Sequence, residues 1–133
     1  MSSKPEEKPE PVVTKEEPLV ILDQKAGLDN SSGAQDMYEL MLQMYLDESP
    51  AKLKKLQKAL EEKDWQTYGV NAANMKSTST AIGAMAVGKT AAKLEAAAKV
   101  ERRHDVTFIE AQHAMMLDYY EQTIKEIKTV LGI

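Results

Sequence analysis

The chain has 133 residues and a formal net charge of −4, enough for one domain with a modest core. That balance argues against a nucleic-acid partner, whose phosphates call for a basic face, and the absence of cysteine excludes disulfides and thiolate metal sites. No apolar run approaches the roughly 20 residues that span a bilayer, and the opening MSSKPEEKPEP lacks the apolar centre of a signal peptide; cytoplasmic residence without membrane insertion is expected.

Residues 1–18 alternate Pro, Glu and Lys and hold four of the five prolines. They read as a disordered tail or linker, with the domain beginning at 19. LVILD (19–23) is the only strand-like run and, lacking a partner strand, reads as an extended lead-in packed on helices. KAGLDNSSG (25–33) reads as loop.

From Ala34 the apolar period is helical. Met37, Leu40, Met41, Met44 and Tyr45 form one stripe. Ser49-Pro50 reads as an N-cap followed by proline at the first helical position, opening a second helix on Leu53, Leu56 and Leu60. Trp65, Tyr68, Ala72, Met75, Ser79 and Ile82 step through a third, and Gly83 is placed where a helix stops. Val87, Ala91, Leu94 and Ala98 mark a fourth. Asp105 is a candidate cap before Ile109, His113, Met116, Tyr120, Ile124, Ile127 and Leu131. Short links between helices of similar length favour antiparallel neighbours. The expected fold is all-α, an antiparallel four-helix bundle with an additional N-terminal helix.

GAMAVGKT (83–90) spells the phosphate-binding string G-x-x-x-x-G-K-[ST]. Such a loop works by following a strand and opening a helix, so that backbone N–H groups converge on phosphate. Here it follows a helical stripe, and Val87 and Ala91 keep helical spacing through it. Gly83 is a helix stop and Lys89 a solvated cation on this reading. Glu101-x-x-His104 and Glu110-x-x-His113 spell the ligand pair of di-iron bundles. They lie too close in sequence to face each other from opposite helices, so no metal is expected.

The third helix has a second, less ordinary face. At roughly 100° per residue, Gly69, Ala73, Lys76, Ser77 and Thr80 fall away from the core stripe: small, polar, with one cation. A solvated face such as 54–63 carries far more charge. A strip of small residues lets another surface come close.

The segment VNAANMKSTSTAIGAMAVGKTAAKLEAAAK (70–99) resembles the centre of histidine-containing phosphotransfer (HPt) domains, whose pattern is His-x-Leu-Lys-Gly, four variable residues, an aliphatic, Gly-Ala, and later Leu-Glu-x-Ala. Met75, Lys76 and Ser77 stand for Leu, Lys and Gly. Ile82, Gly83 and Ala84 match in register, and Leu94-Glu95-x-Ala97 follows. The flanks agree, so the resemblance covers about residues 20–131. The acceptor histidine of the family falls on position 73, which is alanine.

The resemblance implies a phosphocarrier-type signalling domain, not an enzyme. It implies docking on receiver domains of response regulators or hybrid kinases, with the receiver supplying the metal and the catalytic groups. The carrier is then expected to need no cofactor of its own and to be a monomer. Lys76, at i+3 from position 73, would meet phosphoryl oxygens; Gly69 and Ser77, at i−4 and i+4, would give the receiver room; Thr80 completes the face. With Ala73 at the acceptor position, no phosphate should be taken up. The alanine is either native to a domain that binds without exchanging phosphate or a substitution in an active one. The alternative is a helical scaffold with no phosphorelay role.

Overall fold

A computed structural model describes residues 19–133, so the reading of 1–18 lies outside the described residues. The elements are α1 (Gln24–Asn30), α2 (Gln35–Glu62), α3 (Trp65–Ala81), α4 (Met85–Ala98) and α5 (Val106–Leu131), with no strand among the described residues. Helices α2 to α5 close a ring in which each packs on the next and α5 returns to α2; α3 with α4 is the most extensive pair. The all-α bundle with an additional N-terminal helix is therefore as expected, but the extra helix is a different one.

Two local readings are corrected. The segment 25–33, read as loop, is mostly α1. Asp23 caps it by accepting from the Ala26 N–H at 3.0 Å, and Gly27 is buried against Ile82 and the Tyr38 ring. Nor does a helix begin at Ser49-Pro50: α2 runs through it for 28 residues. Pro50 has no N–H to offer the Leu46 carbonyl. Buried Ser49 donates to the Tyr45 carbonyl at 2.6 Å and meets the Tyr120 hydroxyl at 2.6 Å, so it serves helix packing rather than capping.

The inward stripe of α2 also differs. Tyr38, Leu42, Tyr45, Ser49, Leu56 and Ala59 are buried, whereas Met37, Leu40 and Met44 are 49%, 53% and 47% exposed. Tyrosine can go inside because its hydroxyl finds a partner there. Tyr38 donates to the Ile82 carbonyl at 2.9 Å, and Tyr45 pairs with Ser79 Oγ at 2.8 Å. Burial, with the charge of Asp23 adding to it, pushes the Tyr38 hydroxyl up to about 12, so it stays a donor.

The stripes of the other helices agree with the spacing. Tyr68, Ala72, Met75 and Ser79 of α3, Val87, Ala91, Leu94 and Ala98 of α4, and Ile109, His113, Met116 and Ile127 of α5 are buried. Asp105 caps α5 by accepting from Phe108 N–H at 3.0 Å.

The C-terminal end of α3 is fixed from three directions. Its last carbonyls would otherwise lack partners. Asn30 Nδ2 donates to Ala81 O at 3.1 Å, Tyr38 to Ile82 O, and the Asp23 N–H of the lead-in to Gly83 O at 2.7 Å. Gly83 has φ +87°, and a Cβ there would run into the Asp23 carbonyl. Helix stop and lead-in strap thus require the same residue.

Candidate functional site

Helix α3 carries the face singled out in the sequence. It starts where Asp64 accepts from the Thr67 N–H at 3.2 Å, which holds the Asp64 carboxyl below its ordinary range. The α4 helix lies along one flank. One glycine permits this close approach: a Cβ on Gly88 would meet Thr80 Oγ1 at 2.6 Å, whereas one on Gly69 would stand in ordinary contact, 3.5 Å from Ala98 Cβ and 3.6 Å from Lys99 Cγ.

The predicted site residues are therefore not one uniform open strip. Gly69 is buried under the end of α4, against the Lys99 stem. Ala73 and Lys76 are half-buried along the α3–α4 seam. Ser77 and Thr80 are exposed. The room that was assigned to Gly69 is occupied by Lys99. Beyond the seam Val70, Asn74 and Ser77 are open to solvent.

A charged cluster sits on the seam. Lys76 Nζ lies 2.6 Å from Glu95 Oε1, and Lys99 Nζ lies 2.6 Å from Glu95 Oε2. The carboxylate side chain is 14% exposed, while Lys76 and Lys99 are 41% and 59% exposed. Hydrogen bonds from Lys76 first and Lys99 second hold the Glu95 carboxyl below its usual range. Two cations on one carboxylate leave the cluster positive beside position 73. Sequence reasoning missed Lys99 and gave Glu95 no role beyond motif matching. The i,i+4 spacing of 95 and 99 was the available signal, but their meeting with Lys76 depends on the α3–α4 pairing.

Both histidines are engaged elsewhere. His113 is 4% exposed. Its Nδ1 is 2.8 Å from the Tyr68 hydroxyl and its Nε2 is 3.1 Å from Gln57 Oε1. Gln57 Nε2 in turn donates to Glu61 at 3.0 Å. One tautomer satisfies the whole chain: Tyr68 donates to Nδ1, and Nε2–H donates to Gln57. Desolvation pushes the His113 pKa down, favouring this neutral ring. His104 stacks on Trp65, ring centroids 5.0 Å apart, and its Nε2 is 3.0 Å from the Ala98 carbonyl at the end of α4.

The GAMAVGKT string is a helix–turn–helix corner. The N–H groups that would cradle phosphate are bonded within the backbone: Ala84 to Ser79 O at 2.8 Å, Met85 to Gly83 O at 2.9 Å, Ala86 to Val20 O at 2.9 Å. Lys89 is exposed. On the opposite flank of α3, a cleft of about 140 Å³ opens between Met41, Met44 and Tyr45 of α2 and Thr78, Ala81 and Ile82. It continues the exposed apolar patch of Met37, Leu40 and Met44.

The Hpt domain family matches residues 40–128, two thirds of the chain. A crystal structure of the HPT domain from the Hpt sensor hybrid histidine kinase of Shewanella superposes with a TM-score of 0.75. It is 23% identical and covers 84% of this chain and 94% of that one, a likeness of fold. No curated protein matches.

Proposed function

The chain belongs to the Hpt domain family, a family of phosphorelay modules that carry phosphate rather than catalyse, and from that premise we propose that it docks on receiver domains without accepting phosphate. The observation that carries this reading is the residue at position 73. On this reading the family's acceptor position falls on the half-buried Ala73, one turn before Lys76 along the α3–α4 seam.

Transfer in such a relay forms an N–P bond and breaks the acyl phosphate P–O bond, releasing the receiver's carboxylate. It requires a neutral imidazole on the carrier. A methyl group has no lone pair to attack with. His113 has both ring nitrogens bonded, to Tyr68 and Gln57, and His104 is stacked on Trp65 with its Nε2 on the Ala98 carbonyl. Neither lies on the α3 face.

What would support docking is otherwise in place. Ser77 is small and exposed, Lys76 supplies positive charge, and the apolar patch of Met37, Leu40 and Met44 flanks α3 on its other side. An exposed apolar patch beside a polar face is a usual mark of a protein contact. The receiver provides the metal and the reacting aspartate; the domain provides shape and charge.

Titration of the chain against a panel of receiver domains, followed by backbone amide shifts, tests the reading. Perturbations are expected on α3 and the adjoining part of α2, with no label retained by the chain after incubation with phosphorylated receivers. Shifts scattered over α5, or no binding to any receiver, would leave the helical scaffold reading instead.

A further inference from the structure

Resting on the docking reading above, we propose that Lys99 is a further binding residue: with Lys76 it forms a two-cation site for the phosphoryl dianion on the receiver's aspartate, so that the domain prefers phosphorylated receivers. Lys76 approaches from α3 and Lys99 from the end of α4. The two ammonium groups rest on the two oxygens of one carboxylate, at 2.6 Å each, so both are held against the same side chain.

Their placement brackets position 73. Lys76 is at i+3 on the same helix face. The Lys99 stem crosses Gly69, at i−4, with its Cγ 3.6 Å from where a Cβ would stand. A phosphoryl group presented over Ala73 would meet a cation on either side. Both lysines keep enough exposure to swing, and the shortness of Ala73 leaves the approach open.

Charge decides the exchange. The cluster has two positive groups and one negative. A phosphoryl group carries about −1.5 to −2 and three acceptor oxygens, more than the single charge of Glu95. Glu95 thus acts as a placeholder, holding the ammonium groups in position until a stronger anion arrives. No bond is made or broken in the domain, and the phosphoryl group remains on the receiver.

The test compares affinity for receiver domains with and without beryllofluoride, which mimics the phosphoryl group on the acceptor aspartate. The unmodified chain should bind the loaded form about fivefold more tightly, as two half-exposed charge pairs give, with the preference shrinking as salt rises. Lys99→Met keeps the stem over Gly69 and removes the charge. It should bring the ratio toward one, with circular dichroism confirming the fold, and Lys99→Arg should restore it. Equal affinity of the unmodified chain for both forms, or a preference that survives Lys99→Met, would overturn the inference while leaving docking intact. Failure to bind any receiver in either form would overturn the docking reading, and the inference with it.

Discussion

At the residue scale, His113 makes the clearest physical statement. A buried imidazole that accepts from Tyr68 and donates to Gln57 is held neutral, and its pKa is depressed by desolvation. A depressed histidine binds fewer protons in the folded than in the unfolded chain. Its contribution is therefore complete above the unfolded pKa, near 6.5, and is lost as pH falls below that value toward the folded pKa. Urea unfolding at pH 7 and pH 5.5 should show stability declining on acidification. His113→Asn should be less stable at pH 7 and flatter over the same interval. An unchanged slope in the variant would mean that His113 does not titrate as its burial implies. The core stripe of α5 already placed this histidine inside. Its partners, Tyr68 and Gln57, lie 45 and 56 residues away, and no local pattern announces such pairs.

At the element scale, α2 shows what local patterning leaves open. Between 37 and 46 apolar residues occur almost all round the helix, so two stripes fit the period equally well. Tertiary partners choose between them: Tyr38 and Tyr45 go inside because Ile82 and Ser79 receive their hydroxyls. Ser49-Pro50 reads as a start by local rules, yet burial of Ser49 against Tyr120 carries the helix through. The exposed Pro50 is then a tolerated interior proline. Pro50→Ala should restore a donor to the Leu46 carbonyl and raise stability by about 1 kcal/mol, part of the usual interior cost. Met75→Ala, a deletion at a fully buried position of α3, should lower it by about 2–5 kcal/mol. Denaturant titration of the two variants checks both signs. A destabilised Pro50→Ala would show that α2 depends on the proline at this point. Helices α3 and α4 were legible because their apolar residues form one unambiguous stripe each, and Gly83 marks the break with a positive φ. Helix α1 was not, since seven residues containing Gly and Asn hold helix only through the Asp23 cap and packing on Ile82 and Tyr38.

At the scale of the whole molecule, the candidate site is a product of two helices rather than one. The wheel of α3 brought Ala73, Lys76, Ser77 and Thr80 to one side. The pairing with α4 adds Glu95 and Lys99 and takes Gly69 out of the open surface. Lead-in, α1 and α2 all bond to carbonyls at the end of α3 and in the turn after it, so the helix that bears position 73 is anchored at its end by the rest of the fold. The face then has a fixed shape, and on the proposed reading its Ala73 methyl group stands where the family's chemistry needs an imidazole.

The most direct measurement of that claim is phosphoryl transfer from a labelled phosphorylated receiver to the chain and to its Ala73→His variant. The substitution adds an imidazole at a half-buried surface position and should alter stability by no more than about 0.5 kcal/mol, so folding will not confound the comparison. No label is expected on the chain as it stands, and an acid-labile, base-stable label on Ala73→His. Label on the unsubstituted chain, at His104 or His113, or an Ala73→His variant that folds and docks but takes no phosphate, would contradict that claim.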